Sequence, residues 1–165
     1  MNLTEIEDDF ALFLQKAGGA QGLDPLMLKI FAITYVSPDD IPLEDLSKKT
    51  GYSLASISNK MKLLETIGFM RKIKKPGSKK VFVRAEKNML KMHRDVMVMK
   101  EATCMKMSKE LLPEIITKYK GKNLNKEEKN KLKIIEEYHK QTLILDNILK
   151  KTITEYNKAL KEYEK

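Results

Sequence analysis

Residues 43–84 read LEDLSKKTGYSLASISNKMKLLETIGFMRKIKKPGSKKVFVR, and the order of signals in this stretch decides the fold. Leu43 and Leu46 mark one face of a short helix, which Gly51 stops because glycine enters the left-handed region without steric cost. Ser53 stands where a helix cap belongs, its hydroxyl able to accept an orphan backbone amide of the next turn. Ile57, Met61 and Leu64 then fall on one face at steps of four and three and point inward. Gly68 closes this second helix. Residues 69–75 and 80–84 read as two strands around Pro76-Gly77-Ser78, with Val81 and Val83 on one side of the return strand and Phe82 and Arg84 on the other.

Upstream, Thr4 and Glu7 are spaced as a capping box, and Ile6, Phe10, Phe13, Leu14 and Ala17 make an apolar stripe over about three turns. Gly18-Gly19 through Gly22 breaks that helix. Asp24 caps the next, with Pro25 at its first position, and residues 26–33 are apolar nearly all round, which predicts a buried central helix.

Charge is unevenly placed. Residues 1–50 carry four Lys/Arg against nine Asp/Glu, residues 51–87 ten against two, and residues 88–165 eighteen against twelve, within a net charge of +9. Lys72, Lys74, Lys75, Lys79 and Lys80 crowd the hairpin. Lysines on an edge ribbon also discourage aggregation, but this density beside a capped helix is the footprint of a polyanion. A helix-turn-helix followed by a basic ribbon suits a duplex, one helix in the major groove and the ribbon on phosphate. The residues placed to meet it are Ser53, Ala55, Ser56, Ser58, Asn59 and Lys62 on the helix, and Arg71, Lys74, Lys75, Ser78, Lys79 and Lys80 on the ribbon. Asn59 is the strongest base-reading candidate, because its amide can pair two ways with adenine.

The runs Gly22-Leu23-Asp24-Pro25, Pro42-Leu43-Glu44-Asp45-Leu46, Ser53 through Ser58, Leu64-Glu65 and Gly68-Phe69 resemble the MarR-type winged-helix regulators, most closely their GbsR-like branch, over about half the chain. The resemblance implies a mainly α fold with a small β-hairpin: a winged helix-turn-helix domain (residues 21–87) between an N-terminal helical dimerisation arm (1–20) and long C-terminal dimerisation helices (88–165). It implies a homodimeric transcriptional regulator on a palindromic operator, with the recognition helix at Ser53 through Ile67 and the wing at Lys74 through Lys80. The family's wing commonly carries a Gly-Asp-Arg tip, whereas Gly77-Ser78-Lys79-Lys80 here supplies point charges in place of arginine's flat fork. GbsR-like relatives respond to osmoprotectant precursors such as choline, so a small-molecule effector held in an aromatic cage is expected, with Phe31, Tyr35 and Tyr138 as its candidate walls.

Past the hairpin, Met89, His93, Val96, Lys100, Cys104, Met107 and Leu111 step by three or four along a helix that Pro113 should end or kink. Asn125 with Glu128 opens the last helix. There Ile135, Tyr138, Thr142, Leu145, Leu149, Thr152, Tyr156, Ala159 and Tyr163 alternate steps of three and four, the rhythm of a packing seam, along a helix about 57 Å long. A partner subunit is the expected cover, with Phe10, Phe13, Leu145, Leu149 and Tyr156 in the interface. An antiparallel pairing with the preceding helix is the alternative.

Other functions find little support. His93 and His139, the only imidazoles, lack a nearby nucleophile with an orienting acid, and no phosphate-binding glycine loop or HExxH occurs, so no enzyme activity and no cofactor are expected. The single Cys104 leaves no thiol cluster for zinc; six methionines between 89 and 107 could hold copper(I), but they scatter around the helix and read as core, so no metal is expected. With no long apolar run and no signal-peptide pattern, no membrane partner is expected and the site of action is cytoplasmic. Expected partners are therefore double-stranded DNA, a second copy and an effector. The alternative is a winged-helix module used for protein contacts without specific DNA binding.

Overall fold

The computed structural model describes residues 3–164. Two compact units divide between Met92 and His93.

The first unit begins with α1 (Glu5–Gly19), capped reciprocally by Thr4 and Glu7. Its inward face is not the expected stripe. Glu7, Ala11 and Gly18 are buried and Leu14 packs on the core, whereas Ile6 and Phe13 are exposed. Small residues win because α1 runs close against α2 (Pro25–Val36): a Cβ at Gly18 would sit 2.7 Å from Cδ1 of Leu28. Asp24 caps α2 by accepting the Met27 amide at 2.8 Å, and Ile30, Ala32 and Ile33 of α2 have no exposed surface.

Next come β1 (Ile41–Pro42), α3 (Leu43–Thr50) and α4 (Leu54–Thr66). Gly51 adopts φ 76° after α3. After α4, Gly68 at φ 77° lets the Phe69 amide reach the Leu64 carbonyl and the Gly68 amide that of Glu65, the paired bonds of a Schellman close. The hairpin is β2 (Met70–Lys74) and β3 (Val81–Ala85), with Met70 opposite Ala85 and Ile73 opposite Phe82. Its turn places Gly77 at φ 74°, and the Ser78 amide donates to the Lys75 carbonyl. The sheet holds a third strand that periodicity could not reveal: β1 pairs antiparallel with β3, Ile41 opposite Val83, in the order β1-β3-β2. Two residues carry no alternation to read, and Pro42 suits an edge because it has no amide to donate.

Leu26, Ile33, Leu46, Ile57, Met61, Leu64, Val83 and Met92 meet in one core. Three helices sealed by a small antiparallel sheet, the second and third forming the turn unit and β2–β3 projecting from them, make a winged helix-turn-helix.

The second unit continues α5 (Met89–Lys100) through a π-helical turn (Glu101–Met105) into α6 (Lys106–Lys120), followed by α7 (Lys126–Tyr163). α6 continues through Pro113, so the proline does not end the helix there. The expected apolar line through Met107 and Leu111 is also displaced. Met92, Met105 and Ile116 are buried instead, while Met89, His93, Cys104, Met107 and Leu111 of that line are exposed on both sides of the π turn. α6 and α7 are antiparallel, tied by Lys120–Glu136 at 3.1 Å and Lys109–Asp146 at 2.9 Å, and His93 stacks on Tyr156. Thr142, Asp146 and Leu149 form the buried stripe of α7, while Leu145 is exposed.

Candidate nucleic-acid interface

α4 is held by its buried side. Ile57, Met61 and Leu64 sink into the core, which leaves Ala55, Asn59 and Lys62 on the opposite, exposed face and Ser56 and Ser58 half-exposed at its margins. The Ser53 hydroxyl accepts the Ser56 amide at 3.2 Å, and the two serine hydroxyls lie 2.9 Å apart, so Ser53 fixes where α4 starts. Beside this face a notch of about 440 Å³ is lined by Asp24, Pro25, Leu26, Tyr52, Ser56, Asn59 and Lys60.

The ten cations of residues 51–87 divide by what holds them. Lys60 donates to Asp24 at 2.6 Å, and that hydrogen bond is the main reason the Asp24 carboxyl lies below its ordinary range. Lys72 donates to Glu65 at 2.7 Å. Lys75 and Arg84 both reach Asp40, whose side chain is only 4% exposed, and the Lys75 ammonium lies 4.5 Å from the centre of the Phe82 ring. Lys87 donates to the carbonyls of Thr34, Tyr35 and Ser37 at the end of α2. Among the described residues, no carboxylate lies within 4.0 Å of Lys62, Arg71, Lys74, Lys79 or Lys80, and all five are exposed. An exposed ammonium or guanidinium without an acidic partner keeps its counterions and can exchange them for phosphate. Lys75 is thus a brace for the ribbon in the free chain. Ser78 serves the tip itself, its hydroxyl accepting the Lys80 amide at 3.1 Å.

Of the residues expected to form an effector cage, Phe31 and Tyr35 lie together in the first unit, their ring centres 5.4 Å apart. Phe31 is a core residue whose ring packs 5.5 Å from Phe69. The Tyr35 hydroxyl donates to the Lys87 carbonyl at 2.8 Å, Phe10 stacks on its ring at 5.9 Å, and the Lys87 ammonium lies 5.5 Å from the ring centre. Tyr138 belongs to the second unit and is 60% exposed. Phe31 and Tyr35 thus take part in core packing, and Tyr35 also faces the Lys87 ammonium. Of the expected interface residues, Phe13 and Leu145 are exposed, Phe10 and Tyr156 are half-buried, and Leu149 is covered within its own chain by the antiparallel helix pair.

From the sequence, Asp39-Asp40 reads as solvated loop charge, whereas the Asp40 side chain is covered and governs two of the wing's cations; Leu63, exposed on α4, is a residue the sequence reading left out. Nothing local marks Asp40, since its partners lie more than thirty positions away. Leu63 could have been found from its spacing of four from Asn59 and seven from Ser56.

No protein-family model matches the chain, and no curated protein does. Among solved structures, the crystal structure of a transcriptional regulator superposes with a TM-score of 0.68 at 14% identity, covering 92% of this chain and 98% of that one. Streptococcus pneumoniae FabT in complex with DNA aligns over 86% of this chain and 90% of its own at 15% identity, with a TM-score of 0.37. At such identities a likeness speaks to fold, and the first comparison places the chain in the winged-helix architecture seen in a transcriptional regulator.

Proposed function

We propose that the chain is a DNA-binding transcriptional regulator, acting in the cytoplasm as a homodimer on an inverted-repeat operator, in the manner of the MarR-type, GbsR-like regulators its sequence resembles. One observation carries the reading: a capped helix whose free face is small and polar is flanked by five exposed cations that, among the described residues, no carboxylate claims. Edge protection alone would be served by lysines already paired. Phosphate neutralisation needs cations that are not.

Uncovered apolar surface supports a second copy. Ile6 and Phe13 on α1, and Ile134, Tyr138, Leu145 and Ile148 on α7, are large, exposed and spaced along one side of each helix. Two copies related by a two-fold axis would present their recognition helices to successive major grooves about 34 Å apart. A small molecule that changed that separation would control binding.

Selection from random duplexes at low salt tests the reading. An inverted repeat should emerge, bound as a 2:1 protein–duplex complex, with affinity falling steeply as salt rises. Retention of no duplex, or of all duplexes equally, rejects it. The second outcome would favour the protein-contact module, for which the exposed Tyr52 and Leu54 beside Ser53 are the supporting observation.

A further inference from the structure

We infer that Leu63 reads a thymine through its 5-methyl group, an apolar contact added to the polar set on α4. This rests on the regulator reading above. Leu63 is 53% exposed, although the helix has a complete buried side in Ile57, Met61 and Leu64 and needs no further anchor. It follows Asn59 by four residues and Ser56 by seven, so the three lie along one stripe of the helix. Lys62 and Thr66 beside it are exposed as well. A leucine in such a polar, cationic setting is poorly placed for an apolar protein partner. It is well placed for a polyanion whose groove floor carries one kind of apolar group, and in the major groove of DNA that group is the thymine methyl. Four residues of helix advance about 6 Å, which carries the stripe past the base pair facing Asn59 to a neighbouring one. The assignment is therefore to a second position within the same half-site.

Uracil in place of thymine deletes only this methyl and leaves the pairing edge unchanged, so it gives a chemical counterpart to truncating the side chain. The selected duplex is remade with deoxyuridine at each thymine in turn and bound to the wild-type chain and to Leu63→Ala. One position per half-site should weaken wild-type binding about fourfold, the equivalent of roughly 0.8 kcal/mol for one buried carbon. Leu63→Ala should bind the thymine duplex correspondingly less well and be indifferent to uracil at that position. Because Leu63 lies outside the core, the variant should melt with the wild type, which separates lost contact from lost fold. Uracil without effect at every position in the wild type overturns the inference while leaving the regulator reading intact, as does an effect that persists in Leu63→Ala. Failure of the wild type to select any duplex overturns both.

Discussion

Arg84 forks onto both carboxylate oxygens of Asp40, Nη2 donating to Oδ2 at 2.9 Å and Nε to Oδ1. Lys75 reaches the same carboxylate at 3.2 Å, so one buried acid before β1 holds both strands of the ribbon. The consequence for binding runs opposite to that for order. Asp40→Asn should loosen the ribbon and lower the melting temperature, yet release two cations to solvent. Non-specific duplex affinity should then rise, and the salt slope steepen by about 0.9 for each released cation that engages a phosphate. Fluorescence anisotropy across a salt series reads both quantities.

The same carboxyl makes a pH prediction. Its hydrogen bond with Arg84, opposed by burial and helped by Lys75, holds it below the usual aspartate range. A carboxyl depressed in the folded state stabilises above its unfolded value of about 3.9, and that contribution drains away as pH falls through the lower folded value. Melting temperature should therefore drop more steeply below about pH 4 in the wild type than in Asp40→Asn. Parallel acid limbs would contradict the assignment.

Glu7 and Lys49 form a pair at 2.6 Å in which each side chain is 10% exposed, joining α1 to α3. Burial pushes the Glu7 carboxyl up, but the Lys49 ammonium and the Thr4 amide together hold it below its ordinary value. Removing one partner strands the other charge, so Lys49→Met should lose about 3 kcal/mol in urea unfolding at neutral pH. Glu7→Leu combined with Lys49→Met should recover much of that loss.

Gly18 is a contact point for Leu28. Gly18→Leu should destabilise by about 1–3 kcal/mol through overpacking. Adding Leu28→Ala should restore part of the loss, since the nearest obstacle to a new Cβ is the end of that side chain.

Asn59 and Lys79 should fail in different ways. Asn59→Ala should relax preference at one base step, with a discrimination loss of about 1–3 kcal/mol, and leave the salt slope unchanged. Lys79→Ala should weaken every duplex alike and flatten the slope by about 0.9. Equal loss on operator and random DNA for Asn59→Ala would remove it from the reading face.

What the sequence by itself determined is local. The capping box at Thr4, the Asp24-Pro25 start, Gly51, the Ser53 cap and the turn at Gly77 each act within a few residues, and all are in place. So is the inward face of α4, because three apolar residues at helical spacing define a side wherever the helix packs. Tertiary structure decided what depends on distant partners. β1 exists only because β3 arrives beside it, and Asp40 claims Arg84 across more than forty positions. α1 turned its small residues inward because close helix approach outweighed the burial of Ile6 and Phe13. The line from Met89 to Leu111 stayed outside because Met92, Met105 and Ile116 took the buried positions. Which cations remain available to a polyanion is likewise a property of the fold, since five of the ten in residues 51–87 acquire partners only when separate segments meet, whereas a count of charges treats all ten alike.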